Sequence, residues 1–334
     1  MLSLWKELIM PINEVRNTVL AIANKNNYGY ISPQDFNLYA SQAQMDMFED
    51  YFYQYNNQLV KENQRTSGTG YADITKGLAE VIDTFYVDTP LLNSATTQSG
   101  DIQTNLYTLP ADYYLINKMM VYTKELASGV TTSTNGGATA VNDTTADFIA
   151  AGVAPGDIVS TITNGVVYNT VISQVVSATN ILVFSTAGVT VWDLVGKTYN
   201  IYSANDVMDA ERVSQAKITM LNNSILTKPT LGYPAYTQDA LVAQAFPITI
   251  NKIGQLTSQY VRYPFTPNWT YATLLAGEPL FDPTAADYQD FELPLSDEPA
   301  LIAKICQYVG IEIREADVYN FGTQELQQEQ ITQG

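Results

Sequence analysis

The sequence predicts an α+β protein: a helical body with long N-terminal helices, carrying an inserted small antiparallel β-barrel or sandwich. Three observations lead there. Phe36, Ala40, Ala43 and Met47 recur at three- and four-residue steps, the spacing of one helix face. From residue 127 to 204 the composition turns Thr-, Val- and Gly-rich with few charges, and turn signals come at short intervals. Helical patterning then resumes at 206–226 and again after Ser296. The chain is accordingly read as an N-terminal helical part of the body (1–126), an inserted β-module (127–204) and a C-terminal part of the body (205–334) with a helix, an extended arm with strands, and terminal helices. A chain of 334 residues buries roughly three quarters of its unfolded surface, as one large domain or two smaller ones.

In chain order, Leu2, Trp5, Leu8 and Ile9 form a short amphipathic turn stopped by Pro11, either docked or frayed. A first helix is expected over 13–25, with Val15, Val19 and Ile22 on one face and Gly29 suited to the turn that follows. Ser32-Pro33 starts the next helix. A hydroxyl caps free N–H groups, proline takes the first helical position, and Asp35 stands three residues after the cap. If unbroken to Asn63, this helix is roughly 45 Å long at 1.5 Å per residue. From Met47 onward Phe48, Phe52, Tyr55 and Leu59 add a second stripe. A helix apolar on two sides is either the central helix of a domain or one that also meets a neighbouring subunit. The flexible stretch 64–70 leads to a short helix at 73–81 and then to extended chain.

Pro110-Ala111-Asp112 reads as a turn and the run through Met119, Met120, Val121 and Tyr122 as a strand. Tyr113 and Tyr114 are one core and one surface residue of that strand rather than an aromatic platform. Within the β-module, Pro155-Gly156 precedes a strand at 158–163, Asn164-Gly165 makes a two-residue hairpin, and 166–176 returns. A further turn leads into Ile181–Ser185, and 199–202 closes the module. The helix at 206–226 turns Val213, Met220 and Leu221 inward and Glu211 and Arg212 outward. Pro229, Gly232 and Pro234 then break regular structure. Strands are expected around 246–250 and 258–271. Pro264 and Pro267 confine the second to a sheet edge or to an arm crossing onto the next subunit. Ser296 caps the last helix, on which Ile302, Ile305, Cys306 and Val309 share a stripe, and the tail reads as polar and mobile.

The chemistry open to the chain is narrow. It has no histidine, which removes the usual general base, the imidazole metal ligand and every Ser-His or Cys-His pair. Its single cysteine, Cys306, allows neither an intrachain disulfide nor a thiolate cage, and reads as a core residue. Phosphate-binding glycine loops, the hydrolase elbow and the EF-hand loop are missing. Asp287, Asp290 and Glu292 are the tightest carboxylate set, read as a solvated face ahead of hydrolase or Ca²⁺ chemistry. The sequence thus predicts no enzyme, no catalytic or metal residues and no cofactor. A net charge of −18 argues against coating DNA or binding a membrane through basic residues, and serves either solubility or a passage that repels a phosphate backbone. The N-terminal stretch has neither the pattern of a signal peptide nor that of a membrane span, so synthesis in a cytoplasm is expected. The 23 tyrosines suit a protein made of interfaces, and equally a sugar-binding face.

Three stretches, "GYISPQDFNLYASQAQMDMFEDYF", "DAERVSQAKITMLNNSILTKPTLGYPAYT" and "ELPLSDEPALIAKICQYVGIEIREADV", resemble ring or adaptor proteins of the head-to-tail connector in short-tailed, crAss-like bacteriophages. "VAPGDIV" resembles a phrase of β-modules in phage structural proteins. The resemblance covers both ends and the middle of the chain but not 127–204. It implies a virion protein at the neck, made in the host cytoplasm. There it forms a dodecameric homo-oligomeric ring against the portal protein and other connector or tail rings, with DNA passing through without specific binding. Phe48, Phe52, Tyr53, Tyr55, Tyr263 and Phe265 are the expected subunit-contact residues. Two rivals stand beside this: a receptor- or carbohydrate-binding virion protein, and a carboxylate hydrolase centred on Asp290 or Glu292.

Overall fold

The protein is described by a computed structural model over residues 9–23, 31–63, 74–94, 96–98, 101–133, 139–184, 195–274, 277–312 and 323–324. The expected turn at Leu2, Trp5 and Leu8, the Gly29 turn, the 64–70 connection and nearly all of the polar tail lie outside these residues. Among the described residues 37% are in strands and 29% in helices, which overturns the expected helical body with long N-terminal helices: the protein is mainly β. The physical reason is non-local pairing. Stretches whose apolar spacing suits a short helix or a strand become strands when partners far along the chain accept their hydrogen bonds. The chain divides into two compact units, Met1–Phe85 with Tyr263–Gly334, and Tyr86–Arg262.

The first unit opens with β1 (Ile9–Met10) and α1 (Ile12–Ala23), which buries Ile12, Val15, Val19 and Ala23. α2 (Pro33–Asn63) follows, 31 residues long. Its start is held by Ser32, whose Oγ accepts the Asp35 N–H at 3.1 Å while its hydroxyl donates to the Asp35 carboxylate. Phe36, Ala40, Ala43, Met47 and Tyr51 line its buried face. α3 (Ile74–Asp83) completes this half.

The second unit begins with β2 (Tyr86–Pro90) and β3 (Leu92–Asn93), separated only by Leu91. β4 (Thr96–Gln98) and β5 (Asp101–Gln103) form a hairpin, followed by β6 (Leu106–Thr108) and β7 (Tyr113–Tyr122). Next come β8 (Glu125–Val130), β9 (Ala140–Asn142), β10 (Ile158–Thr163), β11 (Val166–Ser177), β12 (Asn180–Val183) and β13 (Thr198–Tyr202). The chain then returns through β14 (Val207–Arg212), α4 (Gln215–Asn222), β15 (Ala235–Asp239), β16 (Val242–Phe246) and β17 (Leu256–Arg262).

Eight of these strands pair in the order β2-β17-β7-β14-β15-β16-β6-β3. Because β2 and β3 are one run of chain, the two ends of the sheet meet and it closes into a barrel. Tyr86 lies opposite Val261 and Pro90 opposite Thr257, Leu91 N–H donates to Leu256 O at 2.9 Å, and Leu92 then lies opposite Thr108. Strand directions agree with closure. All junctions are antiparallel except the parallel pair β14–β15, where Glu211 faces Ala235. A circuit of seven strand positions needs one such exception to return in phase. Leu91, Tyr107, Met119, Val121, Tyr236, Ala243 and Leu256 fill the interior.

Three local expectations are corrected here. Residues 207–212 are strand rather than helix because Val207 to Ala210 pair with Tyr122 to Met119. The helix is the short α4, capped where Ser214 Oγ accepts the Lys217 N–H, and Met220 faces solvent. β16 stops at Phe246, since Pro247 has no N–H to give a ladder. β17 ends at Arg262, ahead of Pro264, and so lies between β2 and β7 rather than at an edge.

The other sheet, in the order β8-β13-β10-β11-β12-β9, is antiparallel throughout. Thr163 and Val166 face each other across Asn164 (φ 53°) and Gly165 (φ 78°), the left-handed pair a two-residue hairpin needs. The Thr132 N–H donates to Asn142 O at 2.8 Å, joining the end of β8 to β9. Its core includes Val141, Phe148, Val159, Ile172, Ile181, Tyr199 and Ile201. Tyr199 OH donates to Asp143 Oδ2 at 2.7 Å directly over Gly129, where a Cβ would stand 2.6 Å from that oxygen.

Back in the first unit, β18 (Tyr271–Thr273) pairs with β19 (Pro279–Phe281), and β20 (Phe291–Pro294) with β1. The Ser296 hydroxyl donates to Asp297 Oδ1, and the chain enters α5 (Glu298–Glu312) through the 3₁₀ turn Leu295–Asp297. Ile302, Ile305, Cys306 and Val309 are all buried with residues of α1 and α2 in one core.

Candidate subunit-contact site on the long helix

On α2, residues 36, 40, 43, 47 and 51 take the buried side, so residues 38, 42, 49, 53 and 60 fall on the side facing water. Phe48 sits between. It is fully buried, with ring centroids of Phe85 at 5.0 Å and Phe52 at 5.1 Å in edge-to-face contact and of Tyr263 at 6.3 Å. Such a cluster is worth more than its buried area because ring edges meet ring faces. Among the expected contact residues, the structure thus gathers Phe48, Phe52 and Tyr263. Phe52 and Tyr55 are half-buried, whereas Tyr53 (68%), Phe265 (52%) and Tyr263 (39%) are exposed.

Phe265 and its neighbours are fixed by hydrogen bonds between side chains and backbone rather than by a sheet. Gln44 Nε2 donates to Phe265 O at 2.8 Å, Phe265 N–H donates to Glu292 Oε2 at 2.7 Å, and Glu292 N–H donates to Gln44 Oε1 at 3.0 Å, closing a triangle. Two helical turns earlier, Asn37 Nδ2 donates to Asn268 Oδ1 and Trp269 O, and Asn37 Oδ1 accepts the Trp269 N–H at 2.9 Å. The extended segment after β17 is therefore fastened along α2 of its own unit, where the sequence suggested an edge strand or an arm crossing to another subunit. Trp269 is further held by Asn13 Oδ1, which accepts its indole N–H at 3.0 Å, and by Arg16, whose guanidinium carbon lies 3.8 Å from the ring centroid.

The pattern that sequence reasoning missed is the pair Asn37 and Gln44. Seven residues apart, they share a helix face, and Gln44 interrupts an apolar stripe between Ala43 and Met47. A buried amide in such a stripe signals backbone to be satisfied elsewhere in the fold.

The acidic set named as the hydrolase rival acts as fasteners. Asp290 Oδ1 accepts the Ile12 N–H at 2.9 Å and the Tyr288 hydroxyl at 2.6 Å, Asp287 Oδ2 accepts from Asn268, and Glu292 belongs to the triangle above. Burial raises the Tyr288 phenol well above its usual range, and the adjoining Asp290 carboxylate raises it further. The same pairing recurs where α2 meets α5. Tyr51 donates to Asp297 and Tyr308 to Asp46, and Lys304 Nζ lies 3.7 Å from Asp46 and 3.4 Å from Asp50. Among the described residues no three His, Cys, Asp or Glu side chains are grouped to hold a metal ion.

Among the described residues no helix is long and apolar enough to cross a membrane. No protein-family model matches the sequence, and a search of curated proteins finds no match.

Proposed function

We propose that this chain is a structural subunit of a phage virion, a ring or adaptor protein of the head-to-tail connector that joins the portal to the tail around the DNA passage. The observation that carries the reading is the exposure of three aromatic side chains, Tyr53 on the long helix α2 and Tyr263 and Phe265 on the segment fastened along it, with Tyr263 backed by the buried Phe48. A rigid base under exposed aromatic side chains loses little entropy on binding, which suits contact between subunits. Closure of the larger sheet leaves it no free edge, so its contacts would be made by side chains rather than by strand addition. The resemblance of residues 29–52, 209–237 and 292–318 to connector proteins points the same way, and the charge of −18 suits a wall that repels DNA.

The experiment is electron microscopy of purified particles labelled with an antibody against this chain. Label at the neck is the expected result, and particles that contain none of its peptides would refute the reading. A second reading, receptor or carbohydrate binding, draws on the outward Val166, Val171, Val176 and Phe184 of the smaller sheet. Label on fibres or the tail tip would favour it.

A further inference from the structure

The crossover between the parallel strands β14 and β15 carries more apolar side chains than it buries. Val213 and Ile218, with Leu221 partly buried, pack beneath it against Ala235. Met220, Ile225, Leu226 and Tyr233 do not: they are 75%, 98%, 95% and 86% exposed. The protrusion has its own hydrogen bonds. Ser224 N–H donates to Leu221 O, Lys228 N–H to Ser224 O, and Thr230 and Tyr233 exchange both backbone bonds at 3.1 and 3.2 Å. Ile225 and Leu226 are thus presented on a formed turn.

Its charge is opposite to that of the rest of the chain. Residues 213–233 hold Lys217 and Lys228 and no carboxylate; taking these two charges from the total of −18 leaves −20 for the remainder. Lys217 already faces Glu211 at 3.6 Å. Copies of so acidic a chain repel one another. A cationic arm with a bare apolar tip offers both neutralisation and burial on an acidic surface, and every other copy presents one.

We propose that this arm docks on a second copy of the chain, over the outward strip of α2 formed by Glu49, Asp50, Tyr53 and Val60. All four are exposed; Glu49 and Asp50 stand four and three residues before Tyr53, beside it on the helix, and Val60 continues the same face two turns further on. Asp50 also faces Lys304. The inference deepens the ring-subunit reading by naming the contact between copies. Arm and strip are different surfaces, so the contact is heterologous and generates a ring when it closes. A few side chains fall short of the roughly 800 Å² per partner of a standard stable interface, so the association is concentration-dependent.

The test uses the full chain, mixed as unlabelled and ¹⁵N-labelled protein, coupled with a carbodiimide and read by mass spectrometry alongside sedimentation velocity. The expected result is a Lys228 link to Glu49 or Asp50 between the two isotopes, with self-association weakened about a hundredfold in the double variant Ile225→Asp, Leu226→Asp. Both side chains are solvent-exposed, so an unchanged circular dichroism spectrum confirms that the variant folds. Links confined to one isotope, or a variant that associates and couples as the parent does, overturn the proposal. Label at the neck without arm-dependent association would sink the arm and leave the ring reading standing; arm-dependent association of a chain absent from virions would do the reverse.

Discussion

Replacing Gln44 by Met keeps the volume and length of the side chain while removing both of its hydrogen-bonding groups. Gln44 is 2% exposed, and its amide serves two backbone groups, Phe265 O at 2.8 Å and Glu292 N–H at 3.0 Å. Each buried backbone group left without a partner costs about 1–3 kcal/mol, and the apolar thioether recovers part of that, so a loss of about 2–4 kcal/mol is expected. The assay is hydrogen exchange of the Glu292 amide by mass spectrometry, beside urea unfolding. A loss of that size speeds exchange by about 30- to 800-fold. If Gln44→Met left stability within about 0.5 kcal/mol and Glu292 exchange unchanged, the triangle would not be what holds the Phe265 segment to α2.

Three further outcomes are open to measurement. Phe48→Ala should cost about 3–5 kcal/mol in urea unfolding, whereas Tyr53→Ala, on the exposed strip, should stay within about 0.5 kcal/mol. Gly129→Ala should lower the thermal midpoint, because the new Cβ would stand 2.6 Å from Asp143 Oδ2 and 2.7 Å from Tyr199 OH and force that pair apart. Burial pushes the Asp143 carboxyl up, but hydrogen bonds from the Thr145 and Tyr199 hydroxyls and from the Thr145 and Ala146 N–H groups outweigh it and hold it below its ordinary 3.8. A depressed carboxyl stabilises the fold fully above its unfolded value and loses that contribution as pH falls through the folded one. Thermal midpoints between about pH 2.5 and 6 should therefore fall more steeply on the acid side for the parent than for Asp143→Asn.

Features written in a few adjacent residues were legible in the sequence. Asn164-Gly165 specified its hairpin to the residue, because only a pair tolerant of positive φ fits so tight a turn. Ser32-Pro33-x-Asp35 marked the start of α2 in the same way. What could not be read was pairing between distant segments. Nothing local to Val207–Arg212 says that Met119 to Tyr122 will accept its hydrogen bonds, and its amphipathic spacing alone suits a helix. Closure of the barrel through Leu91 depends on strands more than 160 residues apart in sequence, Tyr86 with Val261 among them. On the candidate site, the aromatic residues of α2 were visible, but which of them face water was decided by Phe85 and Tyr263, and the fasteners Asn37 and Gln44 gave only the faint signal of polar residues seven apart.

The pairing of Tyr86 with Val261 has a consequence for how such a protein can change. The entry and exit points of the Tyr86–Arg262 unit are neighbours on antiparallel strands, within about 5 Å of each other by strand geometry. A host chain interrupted there needs only a short turn to be whole again. The barrel unit can thus be swapped, enlarged or deleted as a cassette, with its carrier keeping the same cut ends. An exchange of that kind would leave the sequence of the carrier untouched on both sides of the cut.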